Sequence, residues 1–241
     1  MIVSNRQPIP LYNTKELASL YLGRPKKDER DLLMGIEMVL LAGSKIEVIR
    51  EYSNGVYEVH TPHYRVDYPV YVDVRHVSPN VLVRKFILPA YEEALHTLSQ
   101  VTEGTLYVYG ANVSEGLPHL LNDFTPQVEL SREEKKEWTL EGLDCSGLFF
   151  EICQGATLRN CSMLPQIGET IVHPKVKDLR PLDLLIYPGH VVIVESSGGV
   201  IESAKRFKGV RRGPLTSKVL EGCRVVRPFF EKVAVPSKLF G

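Results

Sequence analysis

Residues 144–150, DCSGLFF, constrain this chain more than any other segment, because a cysteine with polar neighbours is followed directly by apolar residues. The apolar residues predict a helix that begins next to Cys145 and ends near Gly155. Backbone N–H groups at a helix start favour a thiolate over a thiol. Cys145 is therefore a candidate nucleophile, and a buried structural cysteine is the alternative.

A second segment, residues 182–204, supplies groups that would activate such a thiol. It predicts three short apolar strands at 182–187, 190–194 and 200–204, separated by tight turns. Directly opposed side chains on adjacent antiparallel strands lie within about 5 Å of each other. We therefore expect Glu202 beside His190, which completes a nucleophile, a base and an orienting group. A surface role for Glu202 is the alternative; the third group would then be Asn112 or Glu195, or Cys145 and His190 would act as a dyad.

Four motifs, in this order along the chain, resemble the NlpC/p60-type bacterial cell-wall cysteine peptidases, which are papain-like hydrolases. They are GTLYVYGAN at 104–112, DCSGL at 144–148, LRPLDL at 179–184 and GHVVI at 189–193. The chain departs from the family pattern at Glu202, where relatives have His, Asn or Gln, and at Tyr109, where they have Trp. A long insertion at 113–142 also precedes the nucleophile.

The resemblance implies a catalytic mechanism for an α+β, papain-like domain. Cys145 would attack an amide carbonyl, His190 would take and return the proton, and Glu202 would hold the imidazole. The Cys145 N–H and the Tyr107 hydroxyl would stabilise the oxyanion. No cofactor and no metal is needed.

The resemblance also implies the substrate, a peptidoglycan stem peptide carrying L-Ala-γ-D-Glu-diamino acid. The cut would fall between γ-D-glutamate and diaminopimelate or lysine, on released peptides. Asp144 and Ser146 match positions that hold the free L-Ala amine, and Tyr109 lies in the binding element. Further candidates for contact with the amine are the tyrosines Tyr64, Tyr68 and Tyr71. The alternatives are an amidase or acyltransferase with the same Cys/His pair, and an inactive cell-wall-binding protein.

The N-terminal part has a different pattern, with short strands predicted at 32–41, 45–52, 56–61 and 68–73. The Asn54-Gly55 pair is a strong hairpin signal. Together with Leu33, Gly35 and Val39, this pattern resembles a bacterial SH3-like β-barrel. We expect a barrel domain at 1–80, a linker at 81–87 and the catalytic domain at 88–241, beginning with a helix at 90–98.

Composition excludes several classes of partner. Lys+Arg and Asp+Glu are each 29, for a formal net charge of zero, which gives no electrostatic case for nucleic acid or an anionic membrane. The first residues show no signal-peptide pattern, so a cytoplasmic location is expected, with export by an unrecognised route as the alternative. Four cysteines without a C-x-x-C pair argue against a disulfide framework or zinc site. Cys153 and Cys161 are predicted to be small apolar fillers, and histidines other than His190 to be surface or structural.

Two charged stretches have ordinary interpretations. Residues 131–138 begin with a capping box and predict a short solvated helix, with a lid over the cleft as the alternative. The basic residues between 205 and 212 are predicted to be solvated loop charges, with contact to a substrate carboxylate as the alternative.

Overall fold

The structure is a computed structural model that describes residues 1–196 and 198–230 of the 241. The chain is a mixed α/β protein with two compact units, Met1–Lys85 with Val108–Gly142, and Phe86–Tyr107 with Leu143–Gly241. Residues 231–241, the end of the predicted catalytic segment, lie outside the described residues. The insertion at 113–142 groups with the N-terminal unit, which differs from the sequence-based division.

The first unit contains a seven-stranded antiparallel sheet in the order β3-β2-β6-β5-β4-β1-β7. Its strands are β1 (Ile2–Asn5), β2 (Ile9–Tyr12), β3 (Ile36–Leu40), β4 (Ile46–Tyr52), β5 (Val56–His60), β6 (Val70–Asp73) and β7 (Val77–Ser78). The order runs from one edge strand to the other, so these strands form an open sheet and no closed barrel is found among the described residues. The SH3-like part of the resemblance stays a prediction.

The Asn54-Gly55 hairpin is confirmed. β4 and β5 pair from Glu47 opposite His60 to Tyr52 opposite Val56. Gly55 has a φ of 78°, a left-handed conformation that glycine adopts without a steric penalty. β1 and β2 were absent from the sequence-based prediction, because four-residue strands give little alternation to detect.

The helical elements of the first unit lie in both of its segments. They are α1 (Leu17–Leu20), α3 (Leu120–Asp123), α4 (Arg132–Trp138) and the 3-10 helix Val74–His76, with the short strand β8 (Asn112–Val113). The predicted capping box of α4 is confirmed, since Ser131 Oγ accepts from Glu134 N and Glu134 accepts from Ser131 N. Trp138 packs against Tyr21, at 5.1 Å between ring centroids. This aromatic contact joins α4 to the N-terminal part of the unit.

The second unit packs helices on a six-stranded antiparallel sheet in the order β10-β15-β11-β12-β13-β14. Its helices are α2 (Tyr91–Gln100) and α5 (Cys145–Ile152), with 3-10 helices at Cys161–Ile167, Val176–Asp178, Lys205–Phe207 and Ser217–Leu220. Its strands are β10 (Gly168–Ile171), β11 (Leu184–Tyr187), β12 (His190–Ser196), β13 (Gly199–Ala204), β14 (Gly209–Pro214) and β15 (Arg224–Pro228), and β9 (Gly142–Leu143) spans the unit boundary.

One face of this sheet carries the main core. Phe149 and Leu148 of α5 lie against Val191, Ile193 and Ile201 of β12 and β13, and all five are fully buried. Each buried side chain of this size contributes about 1.5–3 kcal/mol to folding. This packing fixes the start of α5 against the strand that begins at His190. Among the described helices, none has the length and apolar character needed to cross a membrane.

Candidate active site

Cys145 is the first residue of α5, as the sequence predicts. Asp144 is the N-cap residue, and its Oδ1 accepts a hydrogen bond from Gly147 N at 2.7 Å. This cap orients the first turn, where backbone N–H groups have no intrahelical acceptor. The Cys145 thiol is buried and lies 4.0 Å from the carbonyl oxygen of Gly189, in the turn before His190.

His190 and Glu202 are brought together as predicted, with 2.6 Å between His190 Nε2 and Glu202 Oε2. The expected register is wrong, however. β12 and β13 pair Ile193 with Ile201, so His190 and Glu202 are diagonal and not directly opposed. Diagonal cross-strand neighbours are about 7–8 Å apart at the backbone, which the two long side chains span.

The imidazole of His190 is also close enough to the Cys145 thiol that each group shifts the pKa of the other. Since Nε2 is engaged by Glu202, Nδ1 is the nitrogen available to the sulfur. Burial alone would lower the pKa of His190, but the interactions with Cys145 and Glu202 outweigh it and raise the pKa to about 9. Burial likewise opposes ionisation of Glu202, yet contacts with His190 and Arg206 lower its pKa. The imidazolium is therefore the favoured form at neutral pH.

A second thiol lies beside the nucleophile, with 3.4 Å between Cys145 Sγ and Cys161 Sγ. Cys161 packs against the core, as predicted for an apolar filler, but the sequence did not show that its thiol contacts the nucleophile. The contact with Cys161 and burial raise the pKa of the Cys145 thiol, whereas the interaction with His190 lowers it. The same contact lowers the pKa of Cys161. The two thiols thus titrate as a pair, with one proton released easily and one held tightly.

Asp144 and Ser146, predicted to bind substrate, belong to a buried network with Arg159. Arg159 is 2% exposed, and its Nη2 donates to Asp144 Oδ2 at 2.6 Å while its Nη1 donates to Ser146 Oγ at 2.5 Å. The carboxylate of Asp144 is thus compensated inside the protein. Sequence reasoning gave Arg159 no role, because residues 159–166 resemble the corresponding family element only loosely.

No protein-family model matches the sequence, and no curated protein matches it. Solved structures with similar folds include an NlpC/P60 family protein from Bacillus cereus, with 14% identity and a TM-score of 0.42 over 94% of this chain and 63% of that one. The peptidoglycan hydrolase RipB from Mycobacterium tuberculosis has 19% identity and a TM-score of 0.40, over 56% of this chain and 63% of that one. NlpC2 from Trichomonas vaginalis has 13% identity and a TM-score of 0.38, over 95% and 72%.

These neighbours are NlpC/P60 proteins and a peptidoglycan hydrolase. This chain spans 63% of the length of the first two. Because the identities are below 20% and the TM-scores below 0.5, these similarities carry no functional argument by themselves. The chemistry of the site has to be read from its own geometry.

The alternatives to Glu202 contact other groups. Asn112 Oδ1 accepts from Val39 N at 2.8 Å and its Nδ2 donates to Val39 O, within the first unit. Glu195 accepts from Arg212 Nε at 2.7 Å. Of the three candidates, Glu202 is the one whose side chain hydrogen-bonds with the His190 ring.

The tyrosines of the predicted site fall in both units. Tyr107, in the second unit, donates its backbone N–H to Lys208 O at 3.1 Å, beside β14, and its role toward the oxyanion stays a prediction. Tyr109 belongs to the first unit, where it interacts electrostatically with Tyr68. The hydroxyls of Tyr68 and Tyr64 both donate to the buried carboxylate of Glu37, a residue that sequence reasoning missed.

An open groove of about 660 Å³ lies along the second unit and includes His190 and Glu202 in its wall. Arg206 and Arg211 flank the Phe207 ring there, with their guanidinium carbons 4.8 and 4.5 Å from its centroid. Arg206 also donates to Glu202 at 2.7 Å. The basic stretch therefore contributes to this groove, where a carboxylate-bearing ligand would meet positive charge.

Proposed function

We propose that this protein is a cysteine peptidase of the NlpC/P60 type that hydrolyses peptidoglycan stem peptides at the γ-D-glutamyl-diamino acid bond. The observation that carries the proposal is that Cys145, His190 and Glu202 lie together within one unit, with Cys145 Sγ 4.0 Å from the carbonyl oxygen beside His190 and with His190 hydrogen-bonded to Glu202. A nucleophile next to a base that is oriented by a third group is the arrangement that covalent acyl transfer requires.

The reaction follows from these contacts. The Cys145 thiol passes its proton to His190, and the resulting thiolate attacks the amide carbonyl. The backbone N–H groups at the start of α5 face the developing negative charge, an interaction worth about 3 kcal/mol of barrier per donor. The His190 imidazolium protonates the leaving amine and then, as a neutral base, activates water to hydrolyse the thioester. Glu202 holds the ring and stabilises the imidazolium, as a carboxylate does in serine hydrolases.

The stem-peptide substrate is supported by the four sequence motifs and by their order along the chain. The test is digestion of purified muropeptides with identification of the products by mass spectrometry. Release of a diaminopimelate- or lysine-containing fragment supports the proposal, and transfer of an acyl group without hydrolysis would indicate an acyltransferase. If iodoacetamide labels Cys145 no faster than the buried Cys153, Cys145 is not an activated nucleophile, and the proposal that the protein is a cysteine enzyme is contradicted.

We further propose that the enzyme prefers released peptides. Stem peptides with a free N-terminal L-Ala are expected to be cut at least about tenfold faster than the same peptides joined to muramic acid, because the family resemblance implies a contact with the free amine, and the amide has no cation to make such a charge-assisted contact. Rates are measured on matched pairs of synthetic peptides. Equal rates would contradict the preference and leave the peptidase proposal standing.

A further inference from the structure

Two histidines and an aspartate converge in the first unit, away from Cys145. His76 ends the 3-10 helix after β6, and His119 and Asp123 are one turn apart at α3. Residues four apart lie on one face of a helix. Nitrogen and oxygen atoms of all three side chains lie within 4.8 Å of one another.

These three atoms converge on one point, as the ligands of a metal ion do, but they do not form hydrogen bonds with one another. His76 Nε2 lies 3.3 Å, and His119 Nε2 3.9 Å, from Asp123 Oδ2. All three atoms are buried and none has a hydrogen-bond partner among the described residues. An unpartnered buried polar group costs about 1–3 kcal/mol. Three such groups aimed at one another would destabilise the unit unless something binds between them.

The distances fit one class of ligand. Zinc bonds of about 2.0–2.1 Å in a tetrahedron place neighbouring donor atoms about 3.3 Å apart. Imidazole nitrogens with a carboxylate oxygen suit zinc-like transition metals, whereas magnesium and calcium prefer oxygen ligands. The nearby Arg75 is paired with Asp73 at 2.6 Å, so its charge is compensated.

We propose that His76, His119 and Asp123 bind a divalent zinc-class metal ion through Nε2, Nε2 and Oδ2. The side chains are 9%, 21% and 23% exposed, so water reaches the fourth coordination position. The ion ties α3 to the turn after β6 and stabilises the first unit. This site is independent of the proposed peptidase function and differs from the sequence-based expectation that these histidines are surface or structural.

The test uses the full chain carrying Cys145→Ala, which removes the nucleophile thiol as a competing ligand. The protein is stripped with a chelator, reloaded with Zn²⁺ and desalted, and its zinc content and thermal unfolding midpoint are measured. We expect one tightly bound zinc and a higher midpoint. His119→Gln and Asp123→Asn should each weaken binding by more than about 100-fold, because they remove a direct ligand. The matched controls His60→Gln and Asp67→Asn, exposed in the same unit, should bind like the parent.

A second measurement needs no variant of the cluster. Zn²⁺ should protect His76 and His119, but not His60, from diethyl pyrocarbonate, as read by peptide mass spectrometry. A parent protein that retains no zinc, or equal modification with and without Zn²⁺, would overturn the proposal and leave an apo cluster of polar side chains.

The sulfur contact carries a second and independent inference. Cys145 Sγ and Cys161 Sγ are 3.4 Å apart. A disulfide bond requires about 2.05 Å, so the two sulfur atoms have to approach each other by about 1.3 Å. We infer that a peroxide converts this pair into a reversible disulfide that protects the nucleophile. The loss of activity that follows rests on the proposed function; disulfide formation does not.

The chemistry balances in two steps. The thiolate of one cysteine of the pair attacks hydrogen peroxide, the S–O bond forms, the O–O bond breaks, and the sulfur is oxidised to a sulfenic acid as hydroxide leaves. The thiol of the other cysteine then attacks that sulfur, the S–S bond forms, and the hydroxyl departs with the thiol proton as water.

The test treats the protein with hydrogen peroxide and follows it by intact mass and peptide mapping. We expect loss of two hydrogens, a Cys145–Cys161 linked peptide and full reversal by dithiothreitol. Cys161→Ala should instead proceed to irreversible sulfinic acid at Cys145, and Cys153→Ala should behave as the parent. Sulfinic acid forming as fast in the parent as in Cys161→Ala would overturn the inference. A disulfide in a protein without peptidase activity would disprove only the proposed function.

Discussion

Two groups in this protein combine histidine with a carboxylate, and they differ in how the atoms meet. His190 Nε2 and Glu202 Oε2 are hydrogen-bonded at 2.6 Å. His76 Nε2 and Asp123 Oδ2 are 3.3 Å apart without a hydrogen bond. A hydrogen-bonded carboxylate fixes a tautomer and raises the pKa of the ring, which makes a base. Donor atoms that converge without bonding to each other instead make room for a metal ion.

The largest expected effect is on peptide hydrolysis, which depends on the group around His190 and not on the group around His76. Cys145→Ala should lower peptide hydrolysis by about 10⁴-fold or more, because it removes the nucleophile. Cys153→Ala, at the buried cysteine that follows the other end of α5, should keep activity and lose at most about 1–2 kcal/mol of stability. Hydrolysis rates and urea unfolding check both. Substantial activity in Cys145→Ala would refute the mechanism.

The next largest effect is on stability, and it concerns the carboxylate of Asp144, which is buried and paired with Arg159. Arg159→Met should lower the free energy of unfolding by about 3–5 kcal/mol, because it leaves Asp144 charged and uncompensated in the interior. Arg24→Met, which removes an exposed pair with Glu134, should cost no more than about 1 kcal/mol. Denaturant unfolding measures both variants. If the two lose the same free energy of unfolding, the buried pair of Arg159 and Asp144 contributes no more to stability than an exposed pair.

Glu202→Gln tests the hydrogen-bonded group directly. We expect turnover to fall by about 10- to 100-fold, equivalent to about 1.4–2.7 kcal/mol of barrier. The pKa of His190 should also fall from about 9 toward its ordinary value, because a carboxylate stabilises the imidazolium and an amide does not. The pH–rate profile should therefore shift to lower pH. Glu202→Ala should cost more, and Glu169→Gln on the exposed strand β10 should change neither quantity. Wild-type kinetics in both Glu202 variants would remove Glu202 from the mechanism.

The same variant should alter stability in a defined pH window. A raised His190 pKa adds stability that is fully present below the unfolded value of 6.5 and is lost as the pH rises through about 9. The difference in unfolding free energy between wild type and Glu202→Gln should accordingly shrink from pH 6 toward pH 10. A difference that is constant with pH would contradict the raised pKa.

The smallest expected effect lies at the thiol pair. Cys161→Ala should let the Cys145 thiol ionise at lower pH, because the contact with Cys161 raises its pKa. The pH dependence of iodoacetamide labelling at Cys145 measures this, with Cys223→Ala as the control. A shift to higher pH would mean that Cys161 donates a hydrogen bond to the Cys145 thiolate.

Elements with a local signal were predicted well. The helix after Cys145, the helix before residue 100 and the strands around His190 and Glu202 all appear near their predicted positions. The register between β12 and β13 was predicted incorrectly, because the turn that sets it gives no unambiguous local pattern. The grouping of residues 108–142 was also missed, since it depends on packing of Trp138 against Tyr21, 117 residues earlier in the chain (138 minus 21).

The sequence by itself determined where the candidate site residues lie: a cysteine at a helix start, a histidine at a strand start and a glutamate on the next strand. Periodicity and caps act over a few residues, so they can be read from the chain. The tertiary structure alone decided which side chains meet. It placed Cys161 beside Cys145, Arg159 on Asp144, and His76 beside His119. Those contacts join segments that are far apart in the chain, and they arise from the packing of buried side chains, for which no local pattern exists.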